Sequence, residues 1–234
     1  MTGRTGPTLE PLDGVNLRGE IAQRIRQTIL GGTYMPGEKV NEAGIAEQLG
    51  VSRAPVREAL GLLEREGLIV SVPRRGRFVI DIDDKIVEEI YSLRLLLEIG
   101  ALRRAITRIT DQDIREMTQL LDRLNDSVHR ESDPETIVSL DLAFHERLCR
   151  AADHSRLFLV WNSLRLQTQL LISLTSRTHY DHPDQPMEYH LRVLDAIQAG
   201  DLQSAEARLT EHILDGQQRA NVALQELRRV AVRS

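Results

Sequence analysis

The chain of 234 residues is long enough for two domains, and 41% hydrophobic with 28% charged residues is ordinary globular composition, which excludes a disordered or low-complexity protein. One cysteine excludes an internal disulfide framework and fits a reducing cytoplasm. No apolar run approaches the roughly 18–20 residues of a membrane span and no apolar signal core opens the chain, so a cytoplasmic protein is expected.

The formal net charge of −5 is unevenly spread. Residues 1–80 hold 11 Lys+Arg against 9 Asp+Glu, whereas the remainder holds 19 against 26. A locally basic first part can meet an anionic surface that an acidic second part avoids. All seven histidines, the one tryptophan and the one cysteine also follow residue 80. Composition therefore predicts a boundary near Ile80-Asp81, with a flexible tail over 1–15, one domain over 16–80 and a second over 81–234.

In chain order, Leu17, Ile21, Ile25, Ile29 and Leu30 form a helical stripe that stops at Gly31-Gly32. Arg18, Arg24, Arg26 and Lys39 either touch phosphate or face solvent. Asn41 has the side-chain oxygen of an N-cap ahead of Ile45, Ala46 and Leu49, and Gly50 supplies a left-handed stop. Ser52 reads as a second N-cap, with Pro55 early in the next helix and Val56, Leu60 and Leu63 at helical spacing. Two short helices joined by so tight a turn predict a helix-turn-helix, whose second helix presents its first residues to a DNA major groove. Arg53 and Arg57, four apart, share one face of that helix. Arg65, between Glu64 and Glu66, reads as surface or intrahelical pairing.

Leu68–Val72 and Arg77–Ile80 then read as two strands around the turn Pro73-Arg74-Arg75-Gly76. This is a basic wing, with Arg74, Arg75 and Arg77 around a glycine tip, and guanidinium forks suit guanine edges and phosphates.

The run Gly37-Glu38, Ile45-Ala46-Glu47, Gly50-Val51-Ser52-Arg53, Pro55-Val56-Arg57-Glu58-Ala59-Leu60, Leu63, Glu66-Gly67-Leu68 and Gly76 resembles the winged helix of GntR-type bacterial transcription regulators. The resemblance implies that Ser52, Arg53, Arg57 and Gly76 approach double-stranded operator DNA, with Arg75 beside them in the wing. Some relatives place a base-contacting arginine on the first short helix, where this chain has Ala43 and Gly44, so the operator sequence does not carry over.

After Asp81 strand patterning gives way to six helical stretches, at about 83–108, 111–130, 133–151, 155–179, 183–198 and 201–230. Asp111, Asp133 before Pro134, Asp181-His182-Pro183 and Gly200-Asp201 are the expected caps or breaks. Ile86, Ile90, Leu93, Leu97 and Ala101 suggest the buried stripe of an antiparallel bundle.

In the third of these helices Asp141 and His145 are four apart and emerge on one face. His190 and His212 lie on two other helices. A carboxylate and three imidazoles would suit zinc, nickel, cobalt or manganese, although spacing does not bring three helices together. Cys149 reads as a small buried apolar residue, and His129, His154, His179 and His182 as caps or solvent-facing groups. Arg94 interrupts an apolar helix with Glu98 four residues on; a salt bridge or a domain contact would each explain it.

This second part resembles the all-helical effector domain of FadR-type GntR regulators, through Asp141-x3-His145, His190 before Leu191, Leu194, Ala196 and Ile197, the Gly200-Asp201 break, and His212 after Ala205 and Ala207. Six helices resemble its VanR-like branch. The resemblance implies one divalent ion held by Asp141, His145, His190 and His212, zinc first among the candidates. It also implies a carboxylate effector on Arg94 and dimerisation through the bundle. The expected protein is a homodimeric transcription regulator; a regulator that senses the metal itself and a metal-dependent hydrolase are the alternatives.

Overall fold

Helix α1 (Leu17–Leu30) begins where the Asn16 side chain accepts the Gly19 backbone N–H at 3.1 Å. In this computed structural model residues 16–130, 133–176 and 185–231 are described; the tail 1–15, His179 and the Asp181-His182-Pro183 break lie outside them. Helix α1 buries Ile21, Ala22, Ile25, Ile29 and Leu30, whereas Leu17 is exposed, so its apolar stripe starts one turn later than expected. Its positive-φ stop is Gly32 (φ 69), Gly31 remaining helical.

Strand β1 (Lys39–Val40) leads to α2 (Glu42–Leu49), capped by Asn41 through Ala43 and Gly44 and stopped by Gly50 at φ 65. Helix α3 (Arg53–Arg65) follows α2 after three residues, Gly50, Val51 and Ser52, and buries Val56, Ala59, Leu60 and Leu63. Ser52 has the extended N-cap backbone but makes no side-chain cap bond, contrary to the expectation. Its hydroxyl lies exposed at the start of α3.

Strands β2 (Ile69–Val72) and β3 (Gly76–Val79) pair antiparallel, with Val72 opposite Gly76 and Ile69 opposite Val79. β1 pairs with the other edge of β3, giving the order β1-β3-β2. Two residues are too few for alternation to show in a sequence, so β1 was not foreseen. The turn takes Arg74 to φ 63 and Gly76 to φ 104, conformations in which only the glycine carries no Cβ penalty.

Beyond β3 come α4 (Asp84–Ala105), α5 (Asp111–His129), α6 (Pro134–Ala151), α7 (Ser155–Ser176), α8 (Gln185–Gln198) and α9 (Leu202–Ala231), with no strand among the described residues. Asp83 caps α4 and Asp133, ahead of Pro134, caps α6. Asp201 accepts the Ser204 N–H to open α9 after Gly200 turns left-handed. Helix α5 corrects the expectation: Thr110 and Asp113 form a reciprocal capping box, and Asp111 is merely the first helical residue.

Helix α4 is the centre of the bundle, packed against α6, α7 and α9. Its buried positions are Val87, Ile90, Tyr91, Arg94, Glu98, Ala101, Leu102 and Ala105. The expected stripe is therefore rotated: Leu93 is 37% exposed and Leu96 72%, because the inward arc is occupied by two ionisable residues that a hydrophobic pattern does not register. The architecture is an N-terminal winged helix-turn-helix followed by an all-α antiparallel bundle. Burying a side chain such as Phe144, Leu142 or Leu148 contributes about 1.5–3 kcal/mol against exposure, enough to fix the helices that carry the site.

Candidate metal centre and nucleic-acid interface

Asp141 and His145 project from α6, His190 from α8 and His212 from α9, and one ligand atom from each lies within 4.8 Å of the other three. His145 Nε2 stands 3.0 Å from His212 Nε2 and 3.2 Å from His190 Nε2; His190 Nε2 is 3.2 Å from Asp141 Oδ1. The three histidines are 0–5% exposed, and Phe144 packs edge-on against His145 and His190.

Glu98 decides which nitrogen of His145 faces this cluster. Its Oε2 is 2.7 Å from His145 Nδ1, and an ionised carboxylate only accepts, so Nδ1 carries the proton and Nε2 presents a lone pair. Glu98 Oε1 accepts from Arg94 Nε at 2.7 Å and from Trp161 Nε1 at 2.9 Å. Burial works to raise the Glu98 carboxyl, but Arg94, His145 and Trp161 outweigh it and hold it down to about 2. At Asp141 burial is likewise overcome, by His190 first and then by His145 and His212, and the group stays far below the usual carboxylate range. Burial lowers His145 and, more strongly, His212, where His190 and His145 add to the effect.

The donor set fits a divalent cation. Converging imidazole nitrogens would otherwise bury lone pairs against one another. Ligands about 2.0–2.2 Å from one ion stand roughly 3–3.5 Å apart, and His145–His212, His145–His190 and His190–Asp141 are at 3.0–3.2 Å within a set that spans 4.8 Å. An ion at that point would take His145, His190, His212 and Asp141 as ligands and, as a Lewis acid, would polarise an oxygen donor added to them.

Arg94 is 3% exposed, and its Nη2 has no hydrogen-bond partner. Burial opposes its charge, but Glu98 and Asp141 more than restore it. The salt bridge to Glu98 anticipated as one explanation of Arg94 is therefore present, through one nitrogen only. His212 Nδ1 is also buried without a partner. Cys149 is buried with Ala101, Ala152 and Trp161, and burial pushes its thiol well above its ordinary value, so it packs and does not react. His154 accepts the Leu157 N–H at the start of α7, and His129 is exposed in the last turn of α5.

In the winged helix, Ser52, Arg53 and Arg57 line the exposed start of α3, and Arg75 and Gly76 the exposed tip of the wing. Arg57 is 64% exposed and pairs with Glu42 at 3.5 Å. Arg75 lies over the Phe78 ring, 5.5 Å from its centroid, which keeps the guanidinium beside the wing. An open groove of about 410 Å³ lies between the start of α3 and the wing, with Glu42, Arg57, Ser71, Arg74, Gly76 and Arg77 in its lining.

Two further arginines are held by carboxylates and are not free for DNA. Arg77 is 18% exposed and turns inward to Glu42 and Glu64, tying β3 to α2 and α3, because its alternate position on the strand faces the helices. Arg26 is bound through two nitrogens to Glu66 at the end of α3, which removes it from the candidates for phosphate contact. Arg65 is exposed and makes no ion pair among the described residues. Glu98 as the hub of the bundle and Trp161 as its donor were missed; an Arg and a Glu four apart within an apolar helix were the one available signal.

A winged helix-turn-helix followed by a helical bundle is the architecture of a two-part DNA-binding regulator. The model of the gntR family of bacterial regulatory proteins matches residues 17–79, and that of the FCD domain matches residues 89–215. The chain belongs to the GntR family of transcriptional regulators, with an FCD domain as its C-terminal part. It is 31% identical over 185 residues, 77% of its length and 75% of the relative's, to the gluconate operon transcriptional repressor of Bacillus subtilis. Against the probable D-xylose utilization operon transcriptional repressor of Paenarthrobacter nicotinovorans it is 29% identical over 207 residues, 88% of this chain and 89% of the other. The fold matches E. coli McbR/YncC with a TM-score of 0.73 at 24% identity, covering 92% of this chain and all of that one. These relatives are regulators and not enzymes, which sets aside the hydrolase alternative.

Proposed function

We propose that this regulator is a homodimer whose affinity for operator DNA is set by a small carboxylate bound at a divalent metal ion, zinc first, inside the bundle. The observation that carries it is the convergence of three Nε2 atoms and Asp141 beside an Arg94 whose Nη2 is buried without a partner. Metal ligation leaves room for a carboxylate oxygen, and a guanidinium held by Glu98 from one side offers its other edge to an anion. Residues 81–234 would then sense, while residues 16–80 bind DNA through Ser52, Arg53, Arg57, Arg75 and Gly76. The name of the similar Bacillus repressor makes gluconate the first carboxylate to test. The setting of this activity is the bacterial cytoplasm; no helix among the described residues is long and apolar enough to cross a membrane.

Dimerisation is supported by Leu93 and Leu96 on α4 and by Leu159 and Val160 on the adjoining α7, all more than a third exposed. A second copy covering this apolar strip would give two heads for a two-fold operator. Effector linkage of about 1–3 kcal/mol would change operator affinity roughly 5–150-fold. The test is binding of the zinc-loaded protein to promoter DNA beside its own gene, at fixed salt, with and without gluconate and related acids. No shift of any such fragment would remove the reading. Operator binding that responds to zinc and to no carboxylate would favour the metal itself as the signal.

A further inference from the structure

Two hydrogen bonds on α7 join the bundle centre to the end of the helix that reads DNA. The Trp161 indole donates to Glu98 Oε1 at 2.9 Å, while Glu98 Oε2 holds His145 Nδ1. Six residues on, about 9 Å along the helix axis, the Gln167 amide donates to the Gly67 backbone oxygen at 3.2 Å. Gly67 closes α3: its N–H returns to Glu64 at 3.1 Å and that of Leu68 to Leu63 at 3.0 Å. The residue stands at φ +75, and a Cβ there would lie 2.1 Å from Gln167 Nε2. Glycine thus lets the Gln167 amide sit directly on the cap of α3.

We propose that α7 is the strut through which the bundle centre sets the position of the DNA-reading head, with Trp161 and Gln167 as its positioning residues; this rests on the metal reading above. Glu98 is 0% exposed, and its two oxygens are shared by three donors, so it has no slack. A ligand that draws His145 toward an ion displaces Glu98 and, with it, the donors on its other oxygen. Arg94 rides on the same helix as Glu98 and moves with it. Trp161 belongs to another helix, so the displacement between α4 and α6 passes into α7 there. A helix of 22 residues carries such a shift as a rigid body.

At the far end α1 packs on α7 over a small area, beside an open gap. A cleft of about 490 Å³ separates Gln23, Arg26 and Glu66 of the winged helix from Asn162, Arg165 and Gln169 of α7. The Gln167–Gly67 bond is a narrow tie beside that gap, the kind of contact that steers a domain without locking it.

The test uses the full chain stripped of metal, with zinc as the probe, calorimetry for its binding, and deuterium uptake of the segment 62–69 read by mass spectrometry. In the unaltered protein zinc should slow exchange in that segment about fivefold or more. Trp161→Phe keeps the ring and removes the donor; Gln167→Ala removes the tie from a half-buried site that tolerates truncation. Gln167→Ala should bind zinc with unchanged affinity and Trp161→Phe with unchanged stoichiometry, and both should lose most of the exchange response. Should Trp161→Phe fail to fold, Gln167→Ala decides the matter alone. Zinc binding with unaltered exchange over 62–69, or a full response in a variant, would overturn the inference. Failure of the unaltered protein to bind zinc would instead overturn the metal reading and bring this inference down with it.

Discussion

The two polar regions of this chain are built on opposite principles. At the start of α3 and the tip of the wing, arginines stand exposed, weakly paired or stacked, on elements whose form is set within a few residues of sequence. In the bundle, Arg94, Glu98, His145, His190 and His212 are almost fully buried, and α4, α6, α8 and α9 each supply part of the cluster. An exposed guanidinium costs little to leave unpaired, so it can wait for DNA. A buried one needs a partner, which Glu98 supplies to Arg94 through Nε while Nη2 is left without one.

Breaking the buried side should cost the most. Glu98→Ala leaves Arg94 charged, enclosed and unpaired, and is expected to lower the unfolding free energy in urea by about 3–5 kcal/mol. A loss under about 1 kcal/mol would show that the three donors do not depend on Glu98. Next in size, the double substitution His145→Ala with His190→Ala should abolish stoichiometric zinc and remove the zinc-dependent rise in melting temperature. That rise corresponds to about 2.7 kcal/mol for the unaltered protein at a hundredfold excess of zinc over its Kd. Stoichiometric zinc retained by the double variant would reject these ligands.

On the exposed side, Arg57→Ala should weaken operator binding by about 1–3 kcal/mol while leaving the melting temperature where it was. An unchanged operator Kd at fixed salt would take Arg57 out of the interface. The smallest effect is expected from Arg75→Ala: a nearly uniform loss of affinity on all sequences, with the slope of binding against salt reduced by about 1. A change confined to one operator sequence would mean that Arg75 reads bases and not phosphate.

The head was the more legible region. Asn41 and Gly50 behave as their side chains dictate, because a cap and a left-handed stop are local events. The differences there came from partners distant in sequence: Arg77 reads as an exposed arginine of the wing, yet Glu42 and Glu64 hold it, and Arg26 reads as a phosphate contact or a solvent-facing group, yet Glu66 holds it. In the bundle, helix positions followed from apolar spacing and caps, while the rotation of α4 did not. Hydrophobic periodicity assigns the inward face to Leu93, yet Arg94 and Glu98 take it, because paired charges can be buried where an isolated one cannot.

The sequence by itself determined the succession of elements apart from β1, the tight turn before α3, the exposed arginines at the start of α3, and the four residue types that could hold an ion. Those features depend on neighbours within about one helical turn, and the chain carries that information in its order. Only the tertiary structure decided that three imidazoles meet at their Nε2 atoms, that Glu98 fixes the tautomer of His145, and that α7 touches both the bundle centre and the end of α3. Such contacts join residues from 45 to 100 positions apart, and their geometry exists only once the helices have packed.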